Sequence, residues 1–427
     1  MIRNKGEKQM NKLMDKLQTV LMPLAHKISQ IKFLSAMGAT FQTLLPVILI
    51  GSFACLGAFL DIPAWQAFVG NTGLNMVFMT LQSLTLSIIT LYIAFVLPYQ
   101  YASKLGLSPL PSAIASFMTF LLLTPTELYT NIPSTWLGFP GLFTCMIVTV
   151  LVVRLHKVME DKGIYIHMPE GVPPMVEASF KALLPTVISA VAAIIVATLM
   201  SKTSFGCIHQ VIYSFVQTPL QSMGLSFPAY LLMQILTTLF MFCGIHGDAV
   251  RGIFTPLTMA ASEQNLAALA AGMELPNIIT DSFSVLCQPG GIGGTFGLAF
   301  MMAFLAKSKR MKTLGRMSVV PAIFGINEPL LFGIPIMLNP LLFIPYVLNP
   351  IVCTSVSYIS IALGITPRLN GAAVNWTMPQ VISGFLAQGV PTAILQVVLI
   401  LLTTAIWYPF FKMVDRQICK EEEGSEE

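Results

Sequence analysis

The feature that most constrains this chain is the near absence of charge over long stretches. Only three charged residues lie between positions 33 and 153, namely Asp61, Lys104 and Glu127. Soluble domains carry about a quarter charged residues, whereas this chain of 427 residues carries 10%. Because a spanning helix needs about 20 apolar residues, the 55% hydrophobic content leaves room for about ten spans. The sequence predicts an all-α membrane protein and excludes a soluble catalytic domain.

Several stretches are apolar enough to lie in a bilayer. They cover residues 33–60, 76–97, 110–123, 136–153, 182–200, 228–243, 291–305, 336–363 and 391–411. Two further stretches, 205–220 and Leu13 to Leu24, repeat apolar residues at helical spacing with polar residues between them, which is typical of amphipathic helices on the membrane surface. The acidic tail from Glu421 to Glu427 is predicted to be solvated and disordered.

Lys and Arg fall into clusters between these stretches, and basic residues in short loops stay in the cytoplasm. The clusters lie within residues 3–16, 154–162, 307–316 and 412–420. Counting spans from a cytoplasmic N-terminus returns the chain to the inside at Arg154, as the rule requires. We therefore expect a multi-pass protein of the bacterial cell membrane with both termini in the cytoplasm. The net charge of +4 is explained by this orientation, and no nucleic-acid partner is expected.

Two segments of the second half are interrupted. Residues 244–281 must supply a net crossing if Lys307 is inside, yet they carry Asp248, Arg251, Glu263, Glu274 and Asp281. Residues 320–340 are rich in Gly and Pro, which favours a re-entrant hairpin. Ionisable side chains and irregular backbone are tolerated at this depth only against protein or a water-filled cavity. Paired interruptions of this kind indicate the binding site of a transporter.

Glu328 is the only charged residue between Arg316 and Arg368, and it lies at the turn of the predicted hairpin. A carboxylate there needs a partner or a function. One interpretation is a structural acid that accepts backbone N–H groups in a Gly/Pro turn. The other is a substrate-binding acceptor or general base.

His246 follows the span that ends at Cys243, and glycines on both sides would allow a ligand to approach the backbone. It could equally be a turn residue with satisfied hydrogen bonds. Trp376 lies in a polar and aromatic stretch, where a tryptophan of the membrane interface is an equal alternative. The run from Gln288 to Thr295 lacks the Lys-Ser/Thr signature of a phosphate loop, and we interpret its glycines as close helix packing or a cavity wall. The cysteines form no CxxC pair, and neither a metal site nor a cofactor is expected.

Taken together, these segments resemble the membrane IIC component of the bacterial phosphoenolpyruvate-dependent sugar phosphotransferase system, in its lactose, cellobiose and diacetylchitobiose branch. The resemblance covers nearly the whole chain. It is carried by VPP at 172–174, GIHG at 244–247, LPNIIT at 275–280, PGG at 289–291, FGINEP at 324–329, FGIP at 332–335 and LNP at 338–340. The sequence departs from the family pattern in three places, at 36–39, at Cys243, and at Ile292 with Gly294. The last two places lie in the sugar-binding half and leave the identity of the sugar open.

The resemblance implies a homodimer, a sugar-carrying domain with two re-entrant hairpins, and a disaccharide substrate, cellobiose-like and β-linked. It implies that a separate soluble IIB subunit, phosphorylated on cysteine with the help of IIA, donates the phosphoryl group to the 6-hydroxyl of the sugar. Whether the chain counts as an enzyme by itself is left open by this division of labour. The implied catalytic residues are His246 and Glu328, with the better base being Glu328 because burial raises the proton affinity of a carboxylate. The implied sugar-binding residues are Gly244, Asn277, Thr280, Asn327 and Trp376.

The implied organisation has five parts. They are a cytoplasmic amphipathic segment at 1–32, a five-span dimerisation domain at 33–201, an interfacial linker helix at 202–224, a sugar-binding transport domain at 225–411 and a cytoplasmic acidic tail at 412–427. The main alternative is an ion-coupled secondary sugar transporter in which Glu328 is the proton or sodium site. A lipid-modifying membrane enzyme is a second alternative.

Overall fold

The computed structural model describes Pro23, Lys27 and residues 30–59, 63–126, 132–169, 171–244, 247–334 and 336–423. These residues form helices, turns and loops and contain no strand. Contacts divide the chain into two compact units, Gln30–Gly224 and a unit that includes Leu225–Glu427. The predicted amphipathic helix at Leu13 to Leu24 lies outside the described residues.

The first unit begins at the first long apolar stretch of the sequence. Its helices are α1 Lys32–Phe59, α2 Pro63–Thr72, α3 Leu74–Leu84, α4 Ile89–Leu105, α5 Pro109–Leu123, α6 Leu142–Asp161, α7 Pro174–Met200, α8 Ile208–Ile212 and α9 Thr218–Gly224. The apolar stretch predicted at 76–97 is divided by a 3₁₀ turn at Leu86–Ile88. A π-helical turn at Tyr213–Gln217 separates α8 from α9. Buried Tyr101 on α4 accepts a hydrogen bond from Arg154 Nε on α6 at 2.7 Å.

The second unit contains shorter and more interrupted helices. They are α10 Phe227–Phe242, α11 Asp248–Ala270, α12 Asp281–Leu286, α13 Phe296–Leu305, α14 Lys309–Ile323, α15 Glu328–Gly333, α16 Pro340–Ala362, α17 Ile382–Gln388 and α18 Val390–Glu423. Fully buried Phe242, Tyr346 and Trp407 lie in one apolar core with side chains of α13, α14 and α15. This core supports the segments between the helices.

Among the described residues, six helical segments are long and apolar enough to cross a membrane, judged by length and composition. They are Lys32–Gly51, Leu74–Leu105, Phe139–Asp161, Pro174–Met200, Pro340–Ala362 and Val390–Glu423. Two shorter apolar helices are α5 and α13. Many apolar side chains of the long helices are exposed, for example Met175 and Ile195 on α7 and Leu401 on α18. Such exposure fits contact with lipid rather than with water, so the chain is a multi-pass membrane protein.

The chain is interrupted where the sequence is dense in glycine and proline. The glycine run follows α12 and precedes α13, and a turn at 324–327 joins α14 to α15. Gly325 in this turn has φ 74°, a left-handed conformation that favours glycine. Pro329 is the second residue of α15, a position where the missing N–H costs no helical hydrogen bond. The six-residue helix α15 therefore starts at Glu328 and presents this carboxylate beside the turn.

The prediction of a disordered tail from Glu421 is wrong for its first three residues, which complete α18. The reason is a set of hydrogen bonds to the start of α14. Asp415 accepts from the backbone N–H of Lys307 and Ser308 at 3.0 Å. Glu422 accepts from Ser308 Oγ at 2.7 Å and from the N–H of Arg310 at 2.9 Å. Glu422 thus caps α14, since the first N–H groups of a helix have no helical partner, while Asp415 binds the two residues that precede the helix.

Candidate functional site

The glycine run between α12 and α13 forms a tight turn against three other elements. Gly290, Gly291, Gly293 and Gly294 all have left-handed φ angles. A Cβ on Gly291 would lie 2.7 Å from the carbonyl oxygen of Gly325 and 2.8 Å from Cγ of Asn327. A Cβ on Gly293 would collide with the ring of Tyr346. The interpretation of these glycines as close packing is confirmed, and no side chain other than hydrogen fits at these positions.

Asn327 connects this glycine turn to the turn that carries Glu328. Its side chain is 4% exposed and occupies the N-cap position of α15. Its Nδ2 donates to the carbonyl oxygen of Ile292 at 2.7 Å and to Thr295 Oγ1 at 3.2 Å. Both donor hydrogens are therefore used for structure, which leaves Oδ1 as the atom of this side chain available to a ligand.

Glu328 is the next residue, and it is half-buried. Its Oε2 atom is shielded from solvent and has no hydrogen-bond partner among the described residues. The interpretation of Glu328 as a structural acid held by backbone amides is not supported for this oxygen. A shielded carboxylate oxygen without a partner is unusual, because desolvating it costs free energy. Such an oxygen can accept a proton, or a hydrogen bond donated by a hydroxyl, from a bound molecule.

The α10–α11 connection reaches the same place. Gly244 is exposed, has φ 83° and ends α10 by donating its N–H to Met241 O at 3.0 Å. A Cβ on Gly247 would lie 2.7 Å from Thr237 Cγ2 and 3.0 Å from Ile292 Cδ1. The connection therefore packs on the glycine turn at Ile292. His246, between these two glycines, lies outside the described residues.

Trp376 also lies beside the turn that carries Glu328, through its backbone. A Cβ on Gly325 would lie 2.8 Å from the carbonyl oxygen of Trp376. The indole is 53% exposed, so one face of it is available for contact. Pyranose rings stack on such flat apolar surfaces through their C–H faces.

Asn277 and Thr280 make their hydrogen bonds to other partners. Asn277 Nδ2 donates to Gln264 Oε1 at 2.8 Å and to Ala261 O at 3.2 Å, both on α11. Thr280 is fully buried, and its hydroxyl lies 3.2 Å from Ser282 Oγ. These contacts shape the loop before α12 and do not join it to Asn327 or Glu328.

Three supporting residues escape sequence analysis. Asn349 Nδ2 donates to Gly293 O at 3.2 Å, and Trp407 Nε1 donates to Gly294 O at 3.0 Å. Gln396 is fully buried, and its Oε1 accepts the N–H groups of Val381 and Gly384, both at 2.7 Å. Asn349 and Gln396 could have been recognised as single polar residues in long apolar runs, since burying a polar side chain is costly unless it has a hydrogen-bond partner.

The second unit holds further buried polar atoms without a hydrogen-bond partner among the described residues. They include Gln234 Nε2, the Tyr346 hydroxyl, Asn349 Oδ1 and Thr392 Oγ1. Such atoms are rare in native interiors unless water or a ligand satisfies them. Within the described ranges no three His, Cys, Asp or Glu side chains come together as a metal site.

A multi-pass helical protein whose interrupted segments bring a carboxylate, a carboxamide and a glycine turn together belongs to the class of membrane transporters. The family described as "Phosphotransferase system, EIIC" matches residues 38–350. The chain therefore belongs to the EIIC family, the membrane permeases of the sugar phosphotransferase system. The resemblance drawn from the sequence motifs is confirmed.

Several relatives of similar length align with nearly the whole chain. The chain is 35% identical to the putative permease IIC component YwbA of Bacillus subtilis (strain 168), with 96% of this chain and 97% of the relative covered. It is 35% identical to the cellobiose-specific EIIC component of Geobacillus stearothermophilus, with 97% of each covered. The same identity relates it to the lichenan permease IIC component of Bacillus subtilis (strain 168), over 98% and 97%.

A solved structure has the same fold. It is the crystal structure of the transporter ChbC, the IIC component of the N,N'-diacetylchitobiose-specific phosphotransferase system. The TM-score is 0.90 at 35% sequence identity, covering 96% of this chain and 99% of that one. EIIC components act with IIB and IIA subunits. The alternative of ion-coupled transport without phosphorylation is not supported by these matches.

Proposed function

We propose that this permease carries a β-linked disaccharide inward, cellobiose or a close relative, and that phospho-IIB phosphorylates the sugar at its 6-hydroxyl during transport. The names of the relatives support the sugar class, because lichenan, cellobiose and diacetylchitobiose each specify one of them. All three are equally similar to this chain, at 35% identity. The differences at Ile292 and Gly294 are where the pocket would be adapted to one sugar.

The observation that carries the mechanism is the unpartnered Oε2 of Glu328 beside Asn327. In the proposed step the 6-oxygen of the sugar forms a bond to phosphorus while the bond from phosphorus to the cysteine sulfur of IIB breaks. The hydroxyl proton goes to Glu328, and the cysteine leaves as a thiolate. A sugar hydroxyl is too weak an acid to react without a base. The protein otherwise supplies positioning.

The remaining candidate residues take supporting roles. His246 would orient the 6-hydroxyl or offset the charge of the phosphoryl group, and Gly244 would let the sugar approach the backbone. Asn327 would accept a sugar hydroxyl through Oδ1, and Trp376 would stack on a pyranose ring. Asn277 and Thr280 would line the pocket through the loop that they hold.

The finer architecture belongs to the same proposal. It comprises about ten spans, two re-entrant hairpins, one of them at 320–340, and interfacial helices at 1–32 and 202–224. Residues 33–201 would form the dimerisation domain, 225–411 the transport domain and 412–427 a cytoplasmic tail. Two copies would pair within the lipid bilayer, with both termini facing the cytoplasm.

The experiment compares Glu328→Gln with Glu274→Gln, an exposed carboxylate in the loop before α12. Binding of cellobiose to the purified variant and phosphorylation of cellobiose by phospho-IIB are measured separately. Glu328→Gln should lower the phosphorylation rate about 100-fold or more, the contribution of a general base, while most binding survives. The control should match the wild type in both assays. Equal loss of both would make Glu328 a binding residue, and full phosphorylation would remove it from the mechanism.

The sugar class is tested by competition. Cells that contain the cognate IIB take up labelled cellobiose in the presence of lactose, diacetylchitobiose or glucose, and Trp376→Ala is measured beside the wild type. Cellobiose and its β-linked relatives should compete best, and the variant should lose affinity because a stacking surface is removed. If glucose competed best and Trp376→Ala left uptake unchanged, both the sugar class and the stacking role would be wrong.

A further inference from the structure

Arg368 is the only charged residue between Glu328 and Lys412. It lies in the α16–α17 segment, residues 363–381, which also carries Trp376. Both α16 and α18 are long and apolar enough to span the membrane, so with the C-terminus in the cytoplasm, as proposed above, the chain leaves α16 on the outer side. Lys and Arg are concentrated on the cytoplasmic side of membrane proteins. Orientation in the membrane therefore does not explain this arginine.

The contacts of Arg368 give a different reason for its position. Its Nη1 donates to the carbonyl oxygen of Leu275 at 2.6 Å and to that of Pro276 at 3.0 Å. Both carbonyl groups belong to the α11–α12 loop, residues 271–280, which also carries Asn277. Hydrogen bonds from a charged guanidinium are stronger than those between neutral groups. The arginine thus ties the α16–α17 segment to the α11–α12 loop, across 93 residues of sequence.

Asn265 on α11 makes the same connection from inside the protein. Its side chain is fully buried, and its Nδ2 donates to the carbonyl oxygens of Asn277 and Leu369, both at 2.8 Å. Its Oδ1 accepts the N–H of Asn277 at 2.9 Å. Gly371 has φ 88°, and a Cβ there would lie 3.1 Å from Asn265 Cβ. Two side chains therefore hold the α16–α17 segment to the α11–α12 loop at residues 368–371.

The other end of this attachment is the turn that carries Glu328. A Cβ on Gly325 would lie 2.8 Å from the carbonyl oxygen of Trp376, so the segment packs on that turn through its backbone. Trp376 follows Leu369 by seven residues. The segment is thus held on both sides of this short stretch, and the place of the exposed indole depends on both attachments.

We propose that Arg368 is a positioning residue for sugar binding: its two hydrogen bonds hold the α16–α17 segment so that the Trp376 indole is in place for a pyranose ring. The inference rests on the proposed stacking role of Trp376. A surface that is ordered before the ligand arrives loses less conformational entropy on binding. Without the tie, fewer molecules would have the indole in place, and the apparent affinity falls with that fraction.

The alternative is that the tie only stabilises the fold. The two cases differ in whether the effect of Arg368 requires Trp376. A positioning residue acts through the indole, so its removal should matter little once the indole is absent. A purely structural contact should lower stability with or without the indole. A double-mutant cycle measures this difference, because residues that act through one another have non-additive effects.

The experiment uses Arg368→Ala, because Arg368 is exposed and its removal leaves no buried group behind. Arg368→Lys is the conservative variant, and Lys202→Ala, at an exposed cation of the other unit, is the control. Arg368→Ala and Trp376→Ala are also combined. For each purified protein we would measure the Kd for cellobiose, kcat and KM for phosphorylation by phospho-IIB, and the unfolding temperature.

Arg368→Ala should raise Kd and KM for cellobiose about tenfold, the loss expected for one hydrogen bond to a charged group. Its kcat should stay within about twofold of the wild type, and its unfolding temperature should not change. Arg368→Lys should fall between the two, since an ammonium keeps the charge but not the planar fork. Adding Arg368→Ala to Trp376→Ala should weaken binding no further. Lys202→Ala should match the wild type throughout.

The outcomes separate this inference from the function on which it rests. If Trp376→Ala weakens binding and Arg368→Ala does not, the inference fails and the stacking role stands. If Arg368→Ala has the same effect with and without the indole, or lowers Kd-derived affinity, kcat and unfolding temperature together, it has a structural role and the inference is overturned. If Trp376→Ala keeps the wild-type Kd, the stacking role fails and this inference fails with it.

Discussion

Asn327 Nδ2 donates to the carbonyl oxygen of Ile292 at 2.7 Å, across 35 residues of sequence. This hydrogen bond joins two interrupted segments, the glycine turn after α12 and the turn before α15. Since Asn327 immediately precedes Glu328, the bond also fixes the position of the Glu328 backbone. The turn that carries Glu328 is therefore joined to the glycine turn by the Asn327 carboxamide, and this connection depends on the carboxamide donating rather than accepting.

Asn327→Asp tests this directly. The aspartate has the same size but replaces both donor hydrogens with an acceptor that faces the Ile292 carbonyl, so the unpartnered oxygens should destabilise the fold by about 1–3 kcal/mol. Cellobiose binding should be lost at the same time. Thermal unfolding and binding in detergent measure both effects. Asn339→Asp is the matched control, because Asn339 uses its Oδ1 to accept from Leu341 N–H and aspartate can do the same. Normal sugar binding by Asn327→Asp would contradict the role given to this bond.

Gly293→Ala should prevent folding of the site through backbone strain and through a collision with Tyr346. Gly364→Ala introduces the strain alone and so separates these two causes. Both glycines have left-handed φ angles, 91° and 73°. Alanine at Gly364 meets no atom within 4 Å, whereas alanine at Gly293 collides with the Tyr346 ring. Gly364→Ala should cost only the conformational strain of about 1–2 kcal/mol, and Gly293→Ala should cost clearly more and abolish sugar binding. Thermal unfolding in detergent compares them. Equal losses would mean that backbone strain, not the contact with Tyr346, decides the requirement for glycine.

The helix boundaries show which parts of the fold can be predicted from the sequence. The stretches predicted at 33–60 and 110–123 correspond to α1 at Lys32–Phe59 and α5 at Pro109–Leu123, because apolar content and flanking Gly or Pro are local properties. The 3₁₀ turn at Leu86–Ile88 lies inside an apolar run without any breaking residue, so no local signal marks it. Glu328 is recognisable as an isolated charge, which is also a local signal.

The supporting contacts could not be predicted in the same way. Asn349, Gln396 and Trp407 bind backbone groups that are distant in sequence, and their partners become defined only when α16 and α18 pack against the glycine turn and α17. The end of α18 is a similar case. Its acidic composition indicates disorder. The helix continues instead because Asp415 and Glu422 accept from N–H groups at the start of α14, and the sequence does not show that these groups lie close to α18.

Asp415→Asn should loosen the connection between α13 and α14. Asp415 is 6% exposed and accepts from the N–H groups of Lys307 and Ser308. The amide loses the charge and one acceptor oxygen, and a hydrogen bond to a charged group contributes about 1.5–3 kcal/mol. Hydrogen exchange of the backbone at 307–310 should become faster, together with a lower unfolding temperature.

Glu423→Gln is the control for this variant, because Glu423 is an exposed carboxylate at the end of the same helix. It should leave both readouts unchanged. If Asp415→Asn exchanged at the wild-type rate, the connection between α13 and α14 would not depend on the charge of Asp415. If Glu423→Gln had the same effect as Asp415→Asn, general acidity of the tail rather than the specific contact would be responsible.

The orientation in the membrane is tested with single cysteines in a background without the seven native ones. Arg316→Cys and Lys202→Cys place thiols at exposed positions in the basic segment of α14 and after α7. The positive-inside rule and the count of spans place Arg316 in the cytoplasm and Lys202 outside. A membrane-impermeant thiol reagent should therefore label Lys202→Cys in intact cells and Arg316→Cys only after permeabilisation. A chain that retains only Cys419 should behave like Arg316→Cys, since α18 contacts the start of α14 at Ser308. Labelling of Arg316→Cys and Lys202→Cys from the same side would refute the topology.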